Sequence, residues 1–311
     1  MPANILITGA TGFVGQYLIH YLSEQGYPIV ALVRNPPETL PNLSNVNIKI
    51  IPDIVNCDWS TYLEDVDSVI HCAALAHVPN VENQKARLWD VNVHATEKLA
   101  LASQKVGVKR FIFLSSVKVH GEYTESKPFS VQDKPFPSDL YGESKWAAEE
   151  AIRSIPDLNW VIIRPPLMYG PNMKGNLDLV LKALQRGIYL PLKSIRNQRS
   201  FLSLRNLSHF IELCLKHPGA VRETFLISDG VDLSTPELIR AVAAAEGLSP
   251  RLVPCPTVLL HLAGILFKKQ DAVAKLLQSL QVDISHAANH LNWQPPYTLA
   301  QGLEGIDQEI L

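Results

Sequence analysis

The first half of the chain alternates short apolar segments with segments whose apolar residues have helical spacing. The strand-like segments are residues 4–8, 29–33, 46–51, 68–72, 111–114 and 160–163. The helical segments are residues 12–25, 87–105 and 140–155. Strands that are apolar on both faces are typical of a parallel sheet covered by helices on both sides. We therefore predict an α/β fold with a doubly wound parallel sheet, which binds ligands at the carboxyl ends of its strands.

The second half of the chain has a different texture, because prolines recur and the regular alternation stops. One strand-like run there, residues 225–228, could return to the main sheet. We predict a main domain from residues 1–168, rejoined by about 201–229, and a smaller C-terminal lobe from residues 169–200 and 230–311.

Composition argues against several classes of function. The formal net charge is −2 over 311 residues, so bulk charge gives no basis for nucleic-acid binding. His286 and His290 lie four residues apart without a third ligand nearby, so we expect no metal site. Four cysteines without C-x-x-C spacing are typical of reduced thiols in a cytoplasmic protein. They are Cys57, Cys72, Cys214 and Cys255.

The longest apolar run of the second half covers residues 258–267 and contains His261. It is too short to span a bilayer. We interpret it as a buried or interface helix, in preference to a membrane contact, and expect no membrane insertion. The first residues carry no basic segment, so we also expect no signal peptide.

A glycine-rich turn joins the first strand to the first helix and reads Thr8-Gly9-Ala10-Thr11-Gly12-Phe13-Val14-Gly15. Glycines let a backbone turn tightly and approach a pyrophosphate closely. The helix that follows adds free N–H groups and a positive dipole end. The spacing is G-x-x-G-x-x-G, which differs from the G-x-G-x-x-G of the dehydrogenase fingerprint. Its position directly after the first strand nevertheless predicts a dinucleotide site.

The residues after the second strand indicate which of two dinucleotides the chain binds. Enzymes that use NAD place an Asp or Glu there to hold the ribose hydroxyls. This chain has Arg34-Asn35 instead, and a guanidinium suits a 2′-phosphate. We therefore predict NADP as the cofactor, with NAD as the alternative.

A tyrosine and a lysine stand four residues apart on the predicted helix at 140–155. Tyr141 and Lys145 therefore share a face. A phenol with a pKa near 10 is a poor acid or base at neutral pH, and a neighbouring ammonium favours the phenolate. The apolar strand at 111–114 ends in Ser115 and Ser116, and the hydroxyl of Ser116 could bind a substrate oxygen beside the tyrosine.

Taken together, these motifs resemble the extended short-chain dehydrogenase/reductase family. The resemblance rests on the glycine turn, the Ser115-Ser116 strand end, the Tyr141-x-x-x-Lys145 pair and the run Arg-Pro-Pro-Leu-Met-Tyr-Gly-Pro that begins at Arg164. The family includes nucleotide-sugar epimerases, dehydratases and 4-keto reductases. The resemblance implies a Rossmann domain with a smaller C-terminal lobe that binds a nucleotide sugar. It also implies a homodimer through the helices at 87–105 and 140–155.

The resemblance implies roles for matching positions. Tyr141 would be the acid/base, Lys145 would hold the nicotinamide ribose, and Ser116 would bind the reacting oxygen. Asn92 would lie near the active site, and His120 stands where the family pattern has a tyrosine. The cofactor-binding residues would be Gly9, Thr11, Gly12, Phe13, Val14, Gly15, Arg34, Asp53, Ile54, Ala73, Ala74, Ser115, Tyr141, Lys145 and Pro165.

The resemblance also implies a substrate site in the C-terminal lobe. Arg199 would bind the pyrophosphate through its forked donors. A uracil or thymine slot would lie at Leu190 and Leu192. His77 and Lys118 are extra polar residues for which a surface role is an equal alternative. The predicted substrate-binding residues are Ser116, His77, Lys118, Asn176, Leu190, Leu192 and Arg199.

Several runs further resemble a bacterial subgroup that is found with surface-polysaccharide synthesis. The lack of a ribose-binding acid favours an NADPH-dependent reductase of a UDP-4-keto-6-deoxy-N-acetylhexosamine. The alternative is a 4-epimerase of a UDP-hexose or UDP-N-acetylhexosamine with tightly bound NAD. A non-catalytic NADP sensor is a second alternative. A dehydratase is disfavoured, because Val117 and Lys118 stand where it usually has an Asp-Glu pair.

Overall fold

The computed structural model describes residues 3–36, 43–76, 82–172 and 176–306, without the side chains of residues 82–84, 176–178 and 271. The predicted substrate residue His77 lies outside the described residues, and so does the side chain of Asn176.

The described residues form ten strands, of which seven make the main sheet. The strands are β1 (Ile5–Thr8), β2 (Ile29–Val33), β3 (Val46–Ile50), β4 (Ser68–His71), β5 (Arg110–Leu114), β6 (Trp160–Arg164), β7 (Leu167–Tyr169), β8 (Arg199–Ser203), β9 (Glu223–Leu226) and β10 (Asp232–Leu233). The main sheet has the order β3-β2-β1-β4-β5-β6-β9, and every pair in it is parallel. The predicted doubly wound α/β fold is confirmed.

Helices cover both faces of this sheet. The helices of the described residues are α1 (Phe13–Glu24), α2 (Glu82–Trp89), α3 (Ala95–Lys105), α4 (Leu140–Arg153), α5 (Asn176–Gln185), α6 (Leu204–Lys216), α7 (Thr235–Ala245), α8 (Thr257–Leu266), α9 (Gln270–Leu277), α10 (Ser285–Leu291) and α11 (Leu299–Leu303). Ile5 and Ile7 pack with apolar residues of α1 and α6, whereas Leu6 packs with those of α3 and α4. Successive side chains of a strand point to opposite faces, so β1 needs apolar residues throughout.

The helix predicted at residues 87–105 is not continuous. One wide π-helical turn, Asp90–His94, separates α2 from α3. Such turns are common at functional sites, and this one contains the buried Asn92. The spacing of the buried residues does not reveal the turn, because Leu88, Asn92, Ala95 and Leu99 follow one another at three- or four-residue intervals, as in a continuous α-helix.

The strand predicted at 225–228 does return to the main sheet as β9, two residues earlier than expected. A second sheet pairs β7 with β8 in parallel and β8 with β10 antiparallel. An apolar cluster separate from the main core packs β8 against α5, α7 and α11. The division into a cofactor domain and a substrate lobe stays a prediction.

The apolar run at 258–267 forms α8. We interpreted it from the sequence as a buried or interface helix, and the structure shows that it is not buried. Within α8 the buried residue is Gly264, and the apolar side chains around it are largely exposed. None of the helices that the structure describes is long and apolar enough to cross a membrane.

Candidate active site

The glycine turn after β1 is shaped by close backbone contacts. Gly9 has a φ of +70°, a conformation that favours glycine. A Cβ added at Gly9 would lie 2.8 Å from the backbone nitrogen of Ala73, and one added at Gly15 would lie 2.1 Å from the carbonyl oxygen of Gly9. Side chains at these positions would therefore push α1 away from β1 and from the chain that follows β4.

The amino end of α1 faces outward from this turn. Its N-cap is Gly12, and no side chain caps the helix. Thr11 and Gly12 are exposed, while Val14 and Gly15 are buried beneath them. Uncapped N–H groups at a helix start bind anions well. The turn and the first residues of α1 therefore fit the pyrophosphate of a dinucleotide.

Three further predicted cofactor positions lie in the segments that follow β2 and β3, the strands on one side of β1 in the sheet. Arg34 follows β2 directly and is exposed. Asp53 is exposed and accepts hydrogen bonds from Asn56 Nδ2 and Val55 N, each 2.8 Å long. These bonds lower the pKa of Asp53 below its usual value, with the side-chain bond from Asn56 the larger cause. Ile54 is half-buried against the core.

The helix α4 begins at the carboxyl end of β5. Its N-cap Asp139 accepts a 2.7 Å hydrogen bond from the backbone N–H of Gly142. A Cβ added at Gly142 would lie 2.6 Å from the carbonyl oxygen of Lys118. The first turn of α4, which carries Tyr141, therefore presses against the segment that starts at Ser116. Sequence reasoning did not identify this glycine.

The hydroxyl of Ser116 caps the short 3₁₀ turn Val117–Val119. Its Oγ accepts a 3.2 Å hydrogen bond from the backbone N–H of Lys118, and Ser116 is half-buried. The hydroxyl proton is not needed for this bond, so it stays available to a ligand oxygen.

Lys145 is buried with its charge unpaired. It is 1% exposed, and its Nζ lies 4.1 Å from the ring centroid of Phe113. No hydrogen bond or ion pair joins that Nζ to another described residue. Burial lowers the pKa of Lys145 to about 7, against an opposing effect of Cys72 and Glu149. A buried ammonium without a partner favours an incoming group that supplies hydrogen-bond acceptors, such as ribose hydroxyls.

Tyr141 lies one helical turn before Lys145 and is half-buried. Burial, with a smaller effect of Asp139, raises its pKa to about 12. The phenol is therefore protonated at neutral pH, and its use as a base requires extra positive charge at the site.

Asn92 ties three elements together instead of facing open space. Its Oδ1 accepts from the backbone N–H of Leu75 at 2.8 Å, and its Nδ2 donates to Leu75 O and to Ser144 Oγ at 3.0 Å each. Asn92 thus holds the chain that follows β4 against α4. In this structure it positions the site, and its predicted direct role stays a prediction.

The buried His71 is a part of the site that sequence reasoning missed. Thr96 Oγ1 donates its proton to Asn92 O at 2.9 Å, so Thr96 Oγ1 can only accept from His71 Nε2, at 2.8 Å. Nδ1 must then accept from Thr8 Oγ1, at 2.6 Å. The ring is neutral, and burial, aided by Lys145, lowers its pKa to about 3. Thr8 Oγ1 also accepts from Ala73 N at 3.2 Å, which fixes Ala73 beside Gly9.

A second missed group is Glu149, which has no exposed surface and lies one turn beyond Lys145 on the same face of α4. Arg164 donates to it twice, from Nε to Oε1 at 2.9 Å and from NH2 to Oε2 at 2.5 Å. Arg153 NH2 donates to Oε2 at 2.7 Å. Despite burial, which acts to raise it, these cations hold the pKa of Glu149 below its usual value.

The side chains of one serine and one histidine join the Glu149 cluster. The hydroxyl of Ser115 donates to Glu149 Oε1 at 2.5 Å, so the side chain of this predicted cofactor residue is directed into the cluster. Arg164 NH1 donates to His120 Nε2 at 2.7 Å, which places the ring proton on Nδ1. That buried nitrogen has no hydrogen-bond partner among the described residues. The spacing of Tyr141, Lys145 and Glu149, four residues each, was the signal for this cluster.

The predicted substrate residues are less free than the sequence suggests. The ammonium of Lys118 forms a close ion pair with Asp139 and a 2.8 Å pair with Glu122. Arg199 NH1 donates to the carbonyl oxygens of Lys275 and Gln278 at 3.0 and 2.9 Å. The charge of Lys118 is therefore paired within the protein, and one nitrogen of the Arg199 guanidinium is already hydrogen-bonded.

The residues predicted to form the base slot, and the remaining predicted cofactor residues, are largely buried or half-buried. Leu192 is 8% exposed and packs in the apolar cluster of the second sheet, with Leu190 at its edge. Pro165 is buried, and its carbonyl accepts from Val117 N at 2.9 Å. Ala74 is half-buried after β4. Their contacts with ligands stay predictions.

Known sequences are similar to this chain over most of its length. A family model described as the NAD dependent epimerase/dehydratase family matches residues 5–228. The chain is 40% identical to a UDP-glucose 4-epimerase of Vibrio cholerae over 100% of this chain and 96% of that protein. It is 29% identical to the N-acetyl-alpha-D-glucosaminyl-diphospho-ditrans,octacis-undecaprenol 4-epimerase of Escherichia coli O157:H7, over 98% of this chain and 94% of that protein.

Solved structures show the same fold. The Bordetella bronchiseptica enzyme WbmG in complex with NAD has a TM-score of 0.80 at 22% identity, covering 98% of this chain and 93% of that chain. UDP-glucuronic acid 4-epimerase from Bacillus cereus in complex with NAD has a TM-score of 0.76 at 21% identity, covering 98% and 97%. Because the family model matches most of the chain, and a relative is 40% identical over its full length, this chain belongs to the NAD-dependent epimerase/dehydratase family of extended short-chain enzymes.

Proposed function

We propose that this protein is a 4-epimerase of a UDP-hexose or UDP-N-acetylhexosamine that keeps its dinucleotide bound through the reaction. The observation that carries the proposal is the placement of Tyr141 one turn from the buried, unpaired ammonium of Lys145. The 40% identity to a UDP-glucose 4-epimerase over the full chain favours the epimerase over the 4-keto reductase that the sequence motifs first suggest.

The chain's own residues supply proton transfer and positioning. A bound nicotinamide dinucleotide would supply the redox chemistry at C4. Tyr141 accepts the proton of the 4-hydroxyl and returns it to the 4-keto oxygen, so the two half-reactions leave its protonation unchanged. Burial raises the pKa of the phenol to about 12 in the protein alone. The positive ring of an oxidised nicotinamide, together with a protonated Lys145, would supply the charge that counters this burial. The hydroxyl of Ser116, whose proton is not used in its bond with Lys118 N, donates a hydrogen bond to the same sugar oxygen.

The glycine turn and the strand ends would hold the dinucleotide. Residues at Gly9, Gly12 and Gly15 would accommodate the pyrophosphate, and Lys145 would bind the nicotinamide ribose. Arg34, which directly follows β2, would lie near the adenine ribose and its charge would favour NADP, whereas the family as a whole is described as NAD dependent. Affinities for NADP and NAD should be compared in the wild type and in Arg34→Ala. An unchanged ratio would remove the charge argument for NADP.

The substrate test distinguishes epimerase from reductase. The protein is incubated with UDP-glucose or UDP-N-acetylglucosamine without added dinucleotide, and the C4 epimers are resolved by chromatography. A parallel mixture contains NADPH and a UDP-4-keto-6-deoxy-N-acetylhexosamine. We expect interconversion in the first mixture. Consumption of nicotinamide absorbance in the second mixture alone would establish the reductase instead.

A non-catalytic sensor is the remaining alternative, and intact Ser116, Tyr141 and Lys145 argue against it. A Tyr141→Phe protein that kept full biological activity would revive it. The homodimer through the helical segments at 87–105 and 140–155 and the cytoplasmic location stay predictions, and the molar mass in solution tests the first of them.

A further inference from the structure

The outer face of α8 is an exposed apolar surface. Six apolar side chains at residues 258–267 are between 54% and 76% exposed. They are Val258, Leu259, Leu262, Ile265, Leu266 and Phe267. Contiguous exposed apolar patches of this kind mark sites of association on a folded protein.

The exposure of α8 follows from how it is packed. Leu260 contacts the apolar cluster of the second sheet on the inner side. Gly264 lets α9 approach closely, because a Cβ there would lie 3.0 Å from Val273 Cγ2. Both contacts use the inner side of the helix, so the exposed residues form a face that the fold itself does not cover.

Two lysines border one end of this face. The ten residues of α8 contain neither Asp nor Glu, and Lys268 and Lys269 come before Asp271, the first acidic residue after the helix. Lys268 and Lys269 directly follow Phe267, and both are exposed. An apolar helix face bordered by lysines complements a layer of anionic headgroups over an acyl interior.

The patch lies within the predicted substrate lobe, in its second segment, which is bonded to the first. The carbonyl oxygens of Lys275 and Gln278, at the end of α9, accept the hydrogen bonds of Arg199. Asn197 Nδ2 donates to Leu276 O at 3.2 Å and to Gln278 O at 3.0 Å. The α8–α9 pair is therefore anchored to the start of β8, and a surface bound to α8 would lie against this lobe.

We propose that the outer face of α8, with Lys268 and Lys269, docks on an anionic phospholipid bilayer, with the helix lying in the headgroup region and not crossing it. The ten residues of α8 are too few to span a bilayer. A single short helix with two adjacent lysines gives weak, reversible binding, to which each lysine adds about five-fold at low salt.

The test is flotation of the full-length protein with vesicles. Vesicles of phosphatidylcholine alone are compared with vesicles that contain phosphatidylglycerol, at low and high salt. We expect the anionic vesicles to raise the bound fraction at least about ten-fold, and high salt to reverse the gain. Leu262→Gln with Leu266→Gln, and separately Lys268→Glu with Lys269→Glu, should each lower binding at least about ten-fold.

Controls separate docking from folding and from self-association. Ile50 is 48% exposed on the edge strand β3, so Ile50→Thr should bind vesicles like the wild type. Thermal unfolding should be alike in all the variants. Equal flotation of the wild type and both α8 double variants would overturn the proposal. So would a wild-type oligomer that ignores vesicles and dissociates in the Leu262→Gln, Leu266→Gln protein, because that result assigns the face to a second copy. Sugar interconversion in vesicle-free buffer is measured separately, so failure of one proposal does not imply failure of the other.

Discussion

Replacement of Lys145 by methionine should abolish activity and yet stabilise the dinucleotide-free protein. The wild type buries an amine whose pKa falls from 10.5 to about 7. Since a tenfold change in proton affinity corresponds to about 1.4 kcal/mol, that burial costs about 4 kcal/mol at pH 7. Methionine has a similar length and carries no charge, so Lys145→Met should unfold with a free energy about 4 kcal/mol larger.

The pH dependence of this gain has a definite sign. Between pH 7 and 10.5 the unfolded lysine holds a proton that the folded one lacks, so wild-type stability rises with pH in that window. Lys145→Met lacks this slope, and its advantage should shrink to about 2 kcal/mol at pH 9.

Urea unfolding of dinucleotide-free protein at pH 7, 8 and 9 measures both effects. Lys105 is exposed at the end of α3, so Lys105→Met is a matched control that should change stability by less than about 0.5 kcal/mol at every pH. A Lys145→Met protein that is less stable than the wild type, or whose advantage does not vary with pH, would refute the view that Lys145 is a buried, unpaired amine.

Two further substitutions test the packing around the site. Gly15→Ala should destabilise the protein by at least about 2 kcal/mol and weaken dinucleotide binding, because the new Cβ would meet the Gly9 carbonyl oxygen at 2.1 Å; unfolding and titration calorimetry check this, and wild-type values for both would contradict it. Glu149→Gln should cost about 3–5 kcal/mol, since it leaves the cations of Arg164 and Arg153 without their buried counter-charge; urea unfolding checks this, and a loss below about 1 kcal/mol would show that the cluster is solvated.

The glycine turn and the Tyr141–Lys145 pair could be predicted because each depends on local geometry. A turn between a strand and a helix constrains a few successive residues, and four-residue spacing on a helix brings two side chains together without help from elsewhere. The return of β9 to the main sheet could likewise be predicted, since a short apolar run indicates a buried strand.

Four-residue spacing marks Glu149 as a neighbour of Lys145, but the partners of the groups that support the pair could not be predicted, because they lie far apart in the chain. His71 joins Thr8 and Thr96, and Glu149 joins Arg164 and Ser115. The exposure of α8 was missed for a related reason. An apolar run shows that a helix has an apolar surface. How much of that surface is buried depends on which other elements pack against the helix.

The most direct test of the catalytic account is the rate of C4 interconversion of a UDP-hexose by Tyr141→Phe, measured beside the wild type and without added dinucleotide. The phenol is the group that moves the proton at O4, so its loss should lower kcat by about 10²–10⁴-fold while dinucleotide binding and unfolding stay at wild-type values. Interconversion by Tyr141→Phe at a rate close to that of the wild type would contradict the account.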